Sequence, residues 1–77
     1  MPRLITFEYL GRHWTFLEKE DGLIEDPYIS SDEDASLLLA REDILEYNDK
    51  NVYIANDDSD MGFDVAPIVK IEEEDAG

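Results

Sequence analysis

The sequence predicts a small α+β domain: an antiparallel sheet with one helix, in the order ββαββ. Three observations carry that expectation. Aromatic residues alternate on both sides of a glycine near the N-terminus, apolar residues recur at helical spacing behind a capping signal, and two more alternating runs flank a turn-rich loop. With 77 residues and no cysteine, the chain makes one domain near the lower size limit at which a core holds without staples. Residues 1–71 are read as that domain and 72–77 as a disordered acidic tail.

Leu4 to Glu18 reads as a β-hairpin. Gly11-Arg12 supplies a two-residue loop with glycine at its first central position, the type II′ requirement. That loop pairs Leu10 with His13, Tyr9 with Trp14, Glu8 with Thr15 and Phe7 with Phe16. Phe7, Tyr9, Trp14 and Phe16 then share one face, where cross-strand aromatic pairs stabilise a sheet. This face is read as core; exposed, it would make a homodimer interface.

Glu20 to Ile29 contains EDG and DP, both turn signals, so a loop is expected with at most a short strand at Leu23-Ile24. Ser30 with Glu33, and Ser31 with Asp34, match capping boxes. Leu37, Leu38, Ala40, Arg41, Ile44, Leu45 and Asn48 follow at helical spacing, and NDKN ends the helix near Asn48. Val52–Ala55 and 63–71 read as two strands. Pro67, inside the second, points to an edge strand or a bulge.

Charge is the dominant property. Twenty-one acids against six bases give a net charge of -15, yet 43% of the residues are hydrophobic and 10% aromatic. Disordered acidic chains are poor in aromatics, so a folded core under a charged skin is expected. The charge is segregated: residues 1–19 carry a net +1, residues 20–64 a net -13 and the remainder a net -3. Such asymmetry points to a directed surface. No apolar run approaches the roughly 20 residues needed to span a bilayer, and the first residues lack the segments of a secretory leader. Without cysteines the chain also suits a reducing compartment. A soluble, cytoplasmic protein is the expectation, with no membrane partner.

The loop NDDSDMGFD, Asn56 to Asp64, has the density of a calcium loop but not its spacing. With Gly62 at the sixth position, Met61 and Ile68 fall at the fifth and twelfth, which need oxygen ligands; starting at Asn56 puts Met61 and Pro67 at the sixth and twelfth. No metal and no cofactor is therefore expected. One histidine, His13, no cysteine and no phosphate-binding loop give no catalytic constellation, so no enzyme is expected either.

Some acids have local uses. Asp32, Glu33 and Asp34 suit a first helical turn, worth about 0.3–1 kcal/mol each. Glu42, Asp43, Glu46 and Asp49 do not, since they approach the negative end of the same helix. Two carboxylates about 7 Å apart in water repel by roughly 0.6 kcal/mol, so keeping many of them suggests that the field is useful. Asp58 with Asp60, Glu42 with Glu46, and Glu18 with Glu20 have strand or helix spacings of roughly 6 to 7 Å, close to neighbouring phosphates of a nucleic acid. The candidate partner-binding surface is Glu20, Asp21, Glu25, Asp26, Asp32, Glu33, Asp34, Glu42, Asp43, Glu46, Asp49, Asp57, Asp58, Asp60 and Asp64.

In small size, missing cysteines, strong acidity and a compact α+β core, the chain resembles the phage-encoded DNA-mimic inhibitors. That class includes anti-CRISPR, anti-restriction and uracil-glycosylase-inhibitor proteins. The resemblance lies in composition rather than in a motif, so no residue role is carried over. It implies a non-catalytic inhibitor, itself not binding nucleic acid, that blocks a basic nucleic-acid-binding protein such as a host nuclease or CRISPR effector. Three other readings share the charge, the plainest being a domain whose acidity serves solubility alone. An acidic adaptor would bind a basic protein without imitating DNA. A halophile-type domain would also be acidic and poor in lysine, although salt adaptation would coat residues 1–19 as well.

Overall fold

The computed structural model describes residues 1–29 and 39–73. Within these residues six strands form one antiparallel sheet: β1 (Arg3–Tyr9), β2 (Arg12–Glu18), β3 (Tyr28–Ile29), β4 (Ile44–Tyr47), β5 (Asn51–Ala55) and β6 (Phe63–Glu73). Their spatial order is β3-β2-β1-β6-β5-β4.

The expected α+β class is overturned: among the described residues there is no α-helix, and the protein is a β-sheet domain. The anticipated helix lies partly outside the described residues, which exclude both capping boxes, Leu37 and Leu38. Its remainder is a single 3₁₀ turn, Arg41–Asp43, running directly into β4. Helix preferences of these residue types differ by less than about 0.7 kcal/mol per position, whereas burying one large apolar side chain contributes up to about 3 kcal/mol. As a strand, Ile44 and Tyr47 both reach the core, opposite Ile54 and Val52 of β5. Tertiary packing decides the segment.

The hairpin forms, with its loop displaced by one residue. Tyr9 pairs with Arg12, Glu8 with His13, Phe7 with Trp14, Thr6 with Thr15 and Ile5 with Phe16. The loop is Leu10-Gly11, at φ of 54° and 73°, both left-handed as a type I′ loop demands. The expected pairs are therefore wrong but the expected face is right, because moving the loop by one residue leaves Phe7, Trp14 and Phe16 on the same side. The observed register sets Arg3 opposite Glu18, with which it forms an ion pair, and lets Trp14 Nε1 donate to the Tyr9 carbonyl at 3.1 Å. A non-glycine residue in the left-handed region costs about 1–2 kcal/mol, and the Leu10 side chain is largely exposed. Leu10→Asn is accordingly expected to raise stability by roughly 1 kcal/mol, read as a higher urea midpoint. A lower midpoint would mean that the leucine packs more than its exposure suggests.

The strands expected at Val52–Ala55 and 63–71 are present as β5 and β6. β6 serves two neighbours in turn: Phe63 to Pro67 pair with β5, and Ile68 to Glu73 pair with β1. Pro67 stands at the handover. The Ile68 N–H donates to the Lys50 carbonyl at 2.8 Å, so the Pro67 nitrogen faces away from β5 and its missing hydrogen costs that ladder nothing. The expected bulge lies next to it, where the pairing with β1 slips between Thr6 and Phe7 and leaves Val69 as the extra residue. Over its length β6 is an interior strand, not a sheet edge. It also runs past the expected boundary at residue 71, with Glu72 opposite Leu4 and Glu73 opposite Arg3.

The sheet curls around one core. Ile5, Phe7, Trp14, Phe16, Val52, Ile54 and Ala66 are fully buried, with Tyr9, Ile44, Tyr47 and Ile68 among the side chains packed against them. The aromatic face of the hairpin is thus core, as expected. Curling returns β4 to β2, although three strands separate them in the sheet: the Tyr47 ring meets Phe16 edge-on at 5.2 Å.

Candidate functional site

Two half-buried carboxylates have structural partners: Glu18 ties β2 to β4 across the curl, and Asp64 ties the neighbouring strands β6 and β1. Glu18 receives both Nε (2.7 Å) and Nη2 (3.1 Å) of Arg3 and the phenol of Tyr47 (2.5 Å). Hydrogen bonding from the guanidinium holds the Glu18 carboxyl below its usual range. At the other end of the sheet, Asp64 accepts from the Tyr9 hydroxyl and from Asn56 Nδ2, each at 2.7 Å. These two bonds lower the Asp64 pKa, that from Tyr9 most. Burial, and after it the carboxylate partner, pushes Tyr9 and Tyr47 each up to about 12.

The tyrosines give a pH limit with a definite sign. Below the ordinary phenol value of about 10 both are neutral whether folded or unfolded. Above it the unfolded chain ionises first, so the stability they contribute is fully present below about 10 and is lost as pH rises through their folded value of about 12. Tyrosinate absorbance and far-UV circular dichroism, followed together, should show Tyr9 and Tyr47 ionising only as the sheet unfolds. Ionisation of both near 10 in a folded chain would overturn this.

The remaining acids of the candidate surface divide by what they touch. Asp26 Oδ1 accepts from the Arg41 N–H at 2.9 Å, and Asp43 Oδ2 from the Ala40 N–H at 2.9 Å; both shape the turn before β4. Asp21 accepts from the Leu23 N–H at 3.0 Å within its own turn. Glu25 lies 3.9 Å from Lys19, Glu42 3.8 Å from Arg41 and Asp49 3.8 Å from Arg3. Glu20, Glu46, Asp57, Asp58 and Asp60 are exposed and make no ion pair among the described residues. Asp32, Glu33 and Asp34 lie outside the described residues.

The regular spacings expected for three pairs are not found. Glu42 and Glu46 do not share a helix face, because one sits in the 3₁₀ turn and the other in β4. Asp58 and Asp60 belong to a turn rather than a strand. Glu18 is held by Arg3 and Tyr47 and does not form a surface pair with Glu20.

The loop of four aspartates is organised by its other residues. The Asn56 side chain accepts from the Asp58 N–H at 3.0 Å, the Asn56 N–H donates to the Gly62 carbonyl at 3.0 Å, and the Ser59 hydroxyl donates to the Phe63 carbonyl at 2.9 Å. Asp57, Asp58 and Asp60 are left pointing outward on a tied loop. Among the described residues no three metal-ligating side chains come together.

Sequence reasoning missed an apolar feature beside the acids. A groove of about 500 Å³ runs between β4 and the turn at Gly22–Ile24, lined by Leu23, Ile24, Ile44, Leu45 and Tyr47 among others. Leu23 and Leu45 are both more than half exposed. The available signal was the pair Leu45 and Tyr47, which alternates with Glu46 as a strand does, but Leu45 was assigned to the helical stripe and Tyr47 was left out of it. No family model matches the chain, and no curated protein or solved structure matches it. Among the described residues no helix is long and apolar enough to cross a membrane.

Proposed function

We propose that the protein is a non-catalytic inhibitor that presents fixed carboxylates in place of DNA phosphates to a basic nucleic-acid-binding complex. It would act in the cytoplasm of a host cell, with a CRISPR effector or another defence nuclease as first target. The observation that supports this reading most is how the charges are partnered. Arg3, Lys19, Arg41 and Lys70 are each engaged by a carboxylate of the chain itself, while Asp57, Asp58, Asp60, Glu20 and Glu46 project without such a partner among the described residues. Arg12 and Lys50 are the bases without an ion pair among the described residues, too few to offset the unpaired acids, so a negative field remains that lysines and arginines of a DNA groove would meet.

Rigidity supports it as well. A flexible acidic tail loses conformational freedom on binding, whereas the aspartate loop is already fixed by Asn56 and Ser59. The mimicry proposed is of charge density on a preorganised surface, not of a regular phosphate repeat.

The test is a bacterial-lysate capture by the immobilised protein at low salt, with and without excess competitor DNA. Release of a nucleic-acid-handling complex by DNA, and by raised salt, is the expected result. A partner that DNA cannot displace would replace mimicry with the adaptor reading, and capture of nothing would leave solubility as the use of the charge.

A further inference from the structure

We infer that the groove beside β4 is a second recognition site, which takes an extended segment of a partner protein, alternately apolar and basic, as an additional strand. Three features of the groove point there. Among the described residues β4 ends the sheet, with β5 on one side and no strand on the other. The Asn48 N–H donates to the Asn51 carbonyl at 3.0 Å, so these residues form a hydrogen-bonded pair and the next pair, Tyr47 with Val52, does not. The Tyr47 N–H and C=O therefore point away from β5 toward the open side. Unpaired backbone on a sheet edge is the template for strand addition, and side-chain pockets beside it supply the selectivity.

The pocket is present. The far wall is the turn at Gly22–Ile24, held near the sheet by the bridge between Ile24 and Glu18. The groove is open to solvent, and its volume of about 500 Å³ is within the range of ligand clefts. Leu23 from one wall and Leu45 from the other are 61% and 57% exposed, large apolar side chains left wet on either side of the same opening. They call for apolar groups on the incoming strand.

Charge selects the alternate positions. Glu46 lies in the groove wall and Glu20 and Asp21 directly precede Gly22; among the described residues Arg41 is the lining cation, and Lys19, in the same turn, faces Glu25. Lysine or arginine between the apolar positions would face these carboxylates. The same reasoning disfavours a second copy of this chain, since pairing β4 with β4 would bring Glu46 and its acidic neighbours against each other under a net charge of -15 per chain. The inference does not rest on DNA mimicry, because apolar contacts and backbone pairing carry it.

The experiment uses the full chain and a fluorescent short peptide alternating valine with lysine, with a second peptide of equal composition whose valines and lysines are in separate blocks. Anisotropy should show the alternating peptide binding at least about tenfold more tightly than the block peptide. Exchange of the Tyr47 amide hydrogen should slow in its presence. Leu23→Ser with Leu45→Ser, both at exposed positions, should weaken the alternating peptide by at least about tenfold. Equal affinity for the two peptides, no binding of either, or unchanged exchange at Tyr47 would overturn the inference. These outcomes are independent of the lysate capture, so either site can fail alone.

Discussion

Replacing Trp14 by alanine is expected to remove most of the stability of the domain. Trp14 is the largest fully buried side chain among the described residues, 1% exposed, opposite Phe7 of β1 in the ladder and in one core cluster with Phe16, Val52, Ile54 and Ala66. Its truncation removes apolar burial and leaves a cavity, a combination that costs about 3–5 kcal/mol in well-packed cores. It also leaves the Tyr9 carbonyl without the indole donor. A domain of this size has a total stability near the low end of about 5–15 kcal/mol, so the loss takes most of it. Urea unfolding followed by far-UV circular dichroism reads the result without the indole as probe. Trp14→Phe, which refills much of the space, should recover about half of the loss. An alanine variant with the parent's midpoint would show that the core is not built around this side chain.

Converting Asp57, Asp58 and Asp60 together to lysine has the largest effect expected on binding. Three reversals move the net charge from -15 by six units, to -9. All three side chains are exposed, and the loop is tied by Asn56, Ser59 and backbone bonds, none of which uses an aspartate carboxylate of these three. The fold should therefore survive, and with less self-repulsion its urea midpoint should stay level or rise. Binding to the captured complex should weaken by at least about a hundredfold, because each reversal both removes an attraction and adds a repulsion, and the salt dependence should become shallower. A folded triple variant that binds as before would move the contact to Glu20, Asp21, Glu42 and Glu46 beside the groove.

What the sequence disclosed depended on whether neighbours in the chain are neighbours in space. The core face of the hairpin was legible because Phe7, Trp14 and Phe16 alternate with polar residues, and a one-residue error in the loop cannot move them to the other face. β5 and β6 were legible for the same reason, and the outward aspartates because a turn with little apolar content has nowhere to bury them. The segment after residue 39 was misread. Ile44 and Tyr47 lie three apart, which suits a helix face, and only the distant Phe16 ring and Val52 make the strand preferable. The structural uses of Glu18 and Asp64 were illegible on the same ground: their tyrosine partners lie 29 and 55 residues away.

The divided loyalty of β6 has a consequence for how the chain is made. β1 and β2 emerge from the ribosome first and form a local hairpin, but a lone hairpin is marginal in water. Its inner neighbour is the last of the six described strands in chain order, paired to it from Ile68 to Glu73. Until that strand is released, β1 lacks its inner neighbour, and β4 and β5 can meet the N-terminal hairpin only through side chains, such as Tyr47 against Phe16 and Glu18, with no strand pairing between them. Folding must therefore wait for translation to pass β6, and a nascent chain stalled before it is a client for chaperones rather than a partially working protein.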